Sequence, residues 1–359
     1  MRYIILGAGA IGCYVGGRLA HAGHTVCFVG RPRVLQPLSA QGLRVTGSDG
    51  LDTLIPPAQI CLAATLQEAV ATLAAKSGRL SNDDNTLVVL VCVKTTATDE
   101  VALDIAAQCP AGTTVVSLQN GVDNVARLLA SAPTMTVLAS VVAFNVIWRD
   151  ANHVYQTTDG SLLVQQDPSS EVFAPVLRQA GVPVDLYRDM VAVKWGKLLL
   201  NLVNPVNALA NISLRDTFMQ RDLRCVMAAL MDEGFRVLNA AGIRAAQIAH
   251  APPPKLFAIA LRLPNWMFMR LARKIVRMDP VARASMCDDL HQGKPTEVED
   301  LCGAVVRLGQ RYDIATPANQ AMCNLIHQFQ PGQQWSGKDL LAALDKNFQN
   351  REPPGSMLG

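Results

Sequence analysis

Apolar residues follow two different rhythms along this chain, and the rhythm changes near residue 190. Before that point, short runs of β-branched and aliphatic residues alternate with segments of helical period. That alternation is the pattern of parallel βαβ units. The runs Tyr3–Leu6, Thr25–Val29, Leu87–Val93, Thr114–Leu118 and Val137–Val142 are predicted strands. Their continuous apolar character suits a sheet covered on both faces. The polar stretch Arg44–Gly50 predicts a hairpin inserted in that scheme. From Val191 onward helical periodicity takes over, as in Leu223–Ala241, Pro295–Arg311 and Asn319–Gln328. The expected architecture is α/β: a doubly wound sheet over residues 1–190, then an all-helical C-terminal domain over 191–349. The proline- and glycine-containing stretch 350–359 is expected to be a flexible tail.

Composition narrows the class further. Half of the 359 residues are hydrophobic, 17% are charged and the net charge is +3, which excludes a disordered chain and allows two domains with real cores. The longest uninterrupted apolar run, Leu87–Val93, is far short of the roughly 20 residues of a membrane span. Met1-Arg2 runs straight into an apolar strand and a glycine loop, so no secretory signal is expected. Nine scattered cysteines, an odd number without a C-x-x-C pair, fit thiols in a reducing compartment and not a disulfide frame or zinc site. A cytoplasmic location and no metal are the expectations. Aromatics are sparse, at 5%, and no stacking motif occurs, so nucleic-acid binding is not expected.

The first chemical motif is Gly7-Ala8-Gly9-Ala10-Ile11-Gly12, placed between the strand Tyr3–Leu6 and a helix through Gly16-Gly17-Arg18-Leu19. In this strand–loop–helix setting the glycines permit a tight turn, close approach of a pyrophosphate, and close packing of helix on strand. The helix N-terminus adds unpaired N–H groups for phosphate. Residues 1–190 therefore read as a Rossmann-type dinucleotide-binding domain. The second strand ends in Val29-Gly30-Arg31 with no carboxylate nearby. An acid there would hold a ribose 2′-hydroxyl, whereas an arginine accommodates a 2′-phosphate, so the expected cofactor is NADP(H). His21 and His24 flank Gly23 at the expected end of the first helix, as a helix stop.

Lys94 and Asn120 each close a predicted strand, and ligands of open α/β sheets lie at such carboxyl ends. In the C-terminal half, Lys197, Asn201 and Asn204 are spaced i, i+4, i+7 along an apolar helix, which places them on one face. Burying a lysine lowers its pKa toward catalytic use. Lys194, by contrast, is expected to snorkel at the surface, and Pro205 to kink the helix just after Asn204. Further on, Ser285-Met286 precedes Pro295-Thr296-Glu297-Val298-Glu299, an ordinary helix start. Spacing alone does not separate Glu297 from Glu299.

Taken together, these residues resemble the ketopantoate reductase (2-dehydropantoate 2-reductase) family over nearly the whole chain. The matching elements are Gly7–Gly12, Lys94, Gln119-Asn120-Gly121, Trp195-Gly196-Lys197-Leu198 with Asn201, and Ser285-Met286 twelve residues ahead of Glu297. The resemblance implies NADPH-dependent reduction of 2-dehydropantoate to pantoate, with Lys197 as proton donor. It implies that Lys94, Asn120 and Glu297 line the cofactor and the active site. Asn120, Asn201, Asn204 and Ser285 would hold the substrate. The family often spaces its two helix asparagines four apart, whereas here they are three apart. Paralogues acting on another 2-keto acid or ketone are the alternative, and a non-catalytic NADP(H) sensor is a weaker one. The expected partner is a small keto acid, and a homodimer is compatible with the family. Residues 255–283 hold seven Lys and Arg residues against Asp279 alone and are expected to pack as helices, not to bind a membrane surface.

Overall fold

The computed structural model describes residues 1–77, 86–248, 251–272 and 282–349. The expected tail 350–359 and part of the basic segment, 273–281, lie outside these. The chain divides into two compact units, Met1–Met190 and Val191–Gly359.

The first unit is built on an eight-stranded sheet of order β12-β11-β8-β7-β6-β1-β2-β5. Its strands are β1 (Arg2–Leu6), β2 (Thr25–Val29), β5 (Cys61–Ala63), β6 (Leu87–Val91), β7 (Thr114–Ser117), β8 (Thr136–Val142), β11 (Leu162–Gln165) and β12 (Val184–Tyr187). Successive residues of β1 feed opposite cores. Tyr3 and Ile5 join Phe28, Val88, Leu90 and Val116 on one side, while Ile4 and Leu6 join Val29, Val89, Val91 and Val115 on the other. Both faces are buried, which is why these strands carry no polar alternation. All neighbouring pairs are parallel except β8 with β11.

The expected hairpin at 44–50 is larger than its sequence suggested. It consists of β3 (Leu43–Thr46) and β4 (Asp52–Ile55), which join β9 (Val146–Asp150) and β10 (His153–Gln156) in a second sheet of order β4-β3-β10-β9. Helix α1 (Ala10–His21) packs against both sheets. There Tyr14 donates to Gln156 at 2.6 Å, and the buried Arg18 donates to the Tyr14 hydroxyl. α1 stops at the expected place, with Gly23 at φ +86°. The remaining helices of this unit are α2 (Pro32–Gln41), α3 (Leu66–Ser77), α4 (Thr98–Gln108), α5 (Asn124–Ser131) and α6 (Pro168–Gln179).

The described part of the second unit is helical. It comprises α7 (Met190–Asn201), α8 (Val203–Ala210), α9 (Leu214–Met219), α10 (Arg221–Ala240), α11 (Pro254–Leu261), α12 (Asn265–Leu271), α13 (Ser285–His291), α14 (Val298–Arg311), α15 (Pro317–His327) and α16 (Gly337–Gln349). α10 is central, packing against α11, α14, α15 and α16. Two buried charges on it act as struts. The Glu233 carboxylate accepts from the backbone N–H groups of Ala318 and Asn319 at 2.8 and 2.9 Å, fixing the start of α15. The Arg224 guanidinium donates to the carbonyls of Phe218, Leu261 and Leu263 and lies over the Phe268 ring. It thereby ties the α11–α12 hairpin to α10. That hairpin makes up most of the described part of the basic segment, with Leu256, Ile259, Trp266 and Leu271 exposed. No helix among the described residues is long and apolar enough to cross a membrane, and those residues contain no group of three or more metal-ligating side chains.

Candidate active site

The glycine loop is held by backbone alone. The Val29 carbonyl, at the end of β2, accepts from both Gly7 N–H and Ala8 N–H at 3.0 and 2.9 Å. Gly7 has φ +112°, and a Cβ there would lie 2.7 Å from the Val93 nitrogen, so only glycine suits the turn. A Cβ on Gly12 would meet the Gly7 oxygen and Ile5 at 2.4 and 2.7 Å, so α1 packs tightly on the strand. Gly9 differs: a Cβ there would meet nothing within 4 Å. The protein's own packing leaves Gly9 unconstrained, and the position is exposed, where a ligand's approach would require a bare backbone. Gly9 is also the N-cap of α1, and the first turn carries no acidic residue, so the N–H groups of Ala10, Ile11 and Gly12 face their surroundings without a competing carboxylate. These features fit a dinucleotide pyrophosphate.

Arg31 stands beside this loop. Gly30 is pressed so close to Ala8 that a Cβ would come within 2.8 Å of the Ala8 Cβ. Arg31 follows as the exposed N-cap of α2.

Lys94 and Asn120 also come to the carboxyl edge. The strand β6 ends at Val91, two residues short of the expected Val93, because Cys92 and Val93 pass beneath the Gly7 turn. Lys94 is exposed and begins the short turn Thr95–Ala97. The Thr95 hydroxyl donates to the Asn120 carbonyl at 3.3 Å, joining the two strand ends.

Behind Asn120 lies a buried polar network that the sequence did not announce. Ser117 donates to Gln119 at 3.0 Å, Gln119 to Thr98 at 2.9 Å, and Thr98 contacts the Asn124 carboxamide oxygen at 3.0 Å. The Asn124 amide in turn donates to the Asn120 carbonyl. Arg127 grips both oxygens of Asp99 at 2.8 Å and donates to the Thr95 carbonyl at 3.0 Å. Satisfied networks of this kind rigidify a site, so Lys94 and Asn120 project from a braced edge.

In the second unit, Lys197 and Asn201 share a face of α7, one turn apart. Lys197 is half-buried, and burial lowers its pKa from the ordinary lysine value. Its neighbour Gly196 lets backbone pass where a side chain would stand: a Cβ would meet the Ala246 oxygen at 2.1 Å. The Ala246 N–H also donates to the Ala192 carbonyl.

Two expectations about this helix are corrected. Lys194 does not snorkel; it is only 6% exposed. Ala192, Val193, Lys194 and Trp195 are all buried in succession, so α7 is covered on every side at this level and has no wet face. The break also falls before Asn204, at Leu202, and not after it. Pro205 has no N–H to offer the Asn201 carbonyl, and its ring crowds that carbonyl, so the helix yields a turn upstream of the proline. Lys197 and Asn201 thus sit on α7, while Asn204 is the second residue of α8.

Ser285 is exposed, at the first position of α13, and α13 packs on α8. Glu297 is the half-buried N-cap of α14, and its side chain does not cap that helix. The structure separates it from Glu299, which lies 3.7 Å from Arg307 and 3.4 Å from His327.

A glycine-rich loop opening a helix at the carboxyl edge of a doubly wound sheet, followed by a helical unit, defines a nucleotide-dependent α/β protein. Residues 3–169 match the family described as ketopantoate reductase PanE/ApbA, and residues 189–330 its C-terminal counterpart. The chain belongs to the ketopantoate reductase family. It is 30% identical over 337 residues to a 2-dehydropantoate 2-reductase of Archaeoglobus fulgidus, covering 92% of this chain and 98% of the relative. Among solved structures, a PanE/ApbA family ketopantoate reductase from Ralstonia eutropha JMP134 superposes with a TM-score of 0.74 at 28% identity. That match covers 97% of this chain and all of the other. A D-mandelate dehydrogenase in a ternary structure with NADH and anilino(oxo)acetate shares the fold, with a TM-score of 0.71 at 17% identity, over 97% of this chain and 100% of that one.

Proposed function

We propose that the protein reduces 2-dehydropantoate to pantoate with NADPH, and that Lys197 is the proton donor. The observation that carries this reading is a half-buried lysine of lowered pKa on the same helical face as Asn201. Bound NADPH would supply a hydride to the keto carbon. The Lys197 ammonium gives its proton to the keto oxygen as negative charge develops there. A depressed pKa makes it a better acid near neutral pH, and general acid catalysis contributes about 10²–10⁴-fold. Its charge also stabilises the developing alkoxide.

The other residues bind and orient. The loop cradles the pyrophosphate, Gly7, Ala8 and Gly9 by shaping the turn and Ala10, Ile11 and Gly12 through their N–H groups, and Arg31 pairs with a 2′-phosphate. Lys94, Asn120 and Glu297 line the cofactor, with Asn120 also reaching the substrate. The Asn201 and Asn204 amides and the Ser285 hydroxyl donate to the substrate's carboxylate and hydroxyl. The names of the 2-dehydropantoate 2-reductase relatives support the substrate. The absence of a carboxylate at the end of β2 supports NADPH over NADH.

The test is NADPH oxidation across a panel of 2-keto acids, ketopantoate first. The expected result is the highest kcat/KM with ketopantoate. A higher value with another keto acid would keep the chemistry and replace the substrate, and no turnover with any would overturn the reading.

A further inference from the structure

Asn207 lies on α8, three residues beyond Asn204, and is fully buried. Its side chain meets three separate pieces of backbone or side chain. The amide nitrogen donates to the Ile212 carbonyl and the Thr217 hydroxyl, both at 2.8 Å. The amide oxygen accepts from the Ala284 N–H at 2.9 Å. Ala284 is the N-cap of α13 and immediately precedes Ser285. Other bonds bracket the same stretch: Leu214 N–H donates to the Ala282 carbonyl at 2.8 Å, and Arg283 donates to the Asn211 oxygen at 2.9 Å. His291 contacts the Ala208 carbonyl at 3.0 Å. Of these, only the Asn207 contact comes from a fully buried side chain and ends on the residue before Ser285.

We infer that Asn207 is a positioning residue, which clamps the Ala284 backbone and so fixes where the Ser285 hydroxyl stands. A buried amide using both donor and acceptor has one orientation available to it, so its hold is directional where an apolar contact would slide. The inference rests on the proposed substrate role of Ser285, and its test keeps the two separable.

The test compares Asn207→Asp, which keeps an acceptor for the Ala284 N–H, with Asn207→Leu, which has none. Hydrogen exchange over residues 282–287 reads the clamp without any substrate. Protection should persist in the Asp variant and fall in the Leu variant, and equal protection in both overturns the inference. In steady-state kinetics, Asn207→Leu should raise the keto-acid KM about tenfold, the scale of one lost hydrogen bond, with kcat and NADPH affinity little changed. Asn207→Asp should restore most of it. A purely structural residue would lower Tm in both variants and move KM in neither, or in both alike. Placed on Ser285→Ala, Asn207→Leu should add less than about twofold, because contacts acting through one group are not additive. A full tenfold addition overturns the inference while leaving Ser285 as a ligand. If Ser285→Ala itself leaves KM unchanged, the substrate role of Ser285 fails, and the clamp's functional purpose with it.

Discussion

In the function proposed above, the glycine loop and the α7–α8 region would carry the same kind of task with opposite materials. In the loop, backbone binds: N–H groups of Gly7 and Ala8 are spent on Val29, and the helix start beyond Gly9 offers the rest. In α7 and α8 the proposed work falls to side chains, Lys197, Asn201 and Asn204, each of them partly buried. The backbone site needs residues that are small, so its signature is local and rigid in spacing. The side-chain site needs burial, which comes from distant chain such as Ala246 lying across Gly196. Substitutions that separate packing from chemistry should therefore behave differently in the two regions.

The largest effect should come from paired changes of the two α7 lysines. Lys197→Met should lower kcat by roughly 10²-fold or more, the scale of a lost general acid. NADPH affinity should hold, and Tm should stay level or rise, because an ammonium leaves a desolvated position. Lys194→Met should keep kcat within a few-fold. Methionine suits this control better than alanine, which would open a cavity at a buried position. If Lys194→Met is the inactive variant, the catalytic face of α7 has been misassigned.

In the loop, Gly7→Ala and Gly9→Ala should part ways. Gly7→Ala forces an alanine to φ +112° against the Val93 backbone, a strain of about 1–3 kcal/mol seen as a lower Tm. Gly9 has φ −81° and open space around it, so its alanine variant should fold within about 0.5 kcal/mol of the parent. Calorimetric titration should nonetheless show NADPH bound roughly tenfold more weakly, a loss near 1.4 kcal/mol. Undiminished binding by Gly9→Ala would mean that no ligand approaches there.

This contrast also explains what could be read from the residues alone. The strands β1, β2, β6, β7 and β8 were legible because burial on both faces leaves a continuous apolar run, whereas the short β5, β11 and β12 of the same sheet were not. The loop was legible because Gly7 and Gly12 answer to local geometry. The second sheet was not legible: β9 is short and partly exposed, and β10, short and mostly buried, pairs with β3, whose sequence lies about a hundred residues earlier. Nothing within β3 signals that pairing. Lys194 was misread because helical period gives the direction of a side chain, not what covers it. Asn207 and Asn124 were passed over for the same reason. A buried amide and a solvated one are spelled alike, and only the partners, Ala284 and Asn120, tell them apart. The one available hint for Asn207 was a polar residue amid Val206, Ala208 and Leu209.

Cofactor choice should respond more mildly. Arg31 is exposed, so its proposed pairing with a 2′-phosphate would be partly screened by solvent. Arg31→Asp should weaken NADPH binding several-fold to tenfold, leave NADH unchanged or improved, and narrow the preference measured by kcat/KM. Equal affinity of the unaltered protein for both cofactors would refute NADPH selection. Raising the salt concentration should weaken NADPH more than NADH in the parent, and the two alike in the variant.

The smallest effect is the most specific to a lysine of lowered pKa. A general acid must hold its proton, so the rate of keto-acid reduction should be level while Lys197 is charged and fall as pH rises through its pKa. Burial places that pKa below the ordinary lysine value of 10.5, so the fall should begin at lower pH than an exposed lysine would give. Stability moves the other way. Between the folded and unfolded pKa values the unfolded chain binds more protons at this site than the folded one, so its contribution to stability rises with pH across that window. Activity declining on the alkaline side while Tm holds or climbs would distinguish titration of Lys197 from alkaline unfolding. Lys197→Arg should remove the limb from whatever activity survives, since guanidinium keeps its proton throughout. An alkaline limb unchanged in Lys197→Arg would assign it to another group and take the proton away from Lys197.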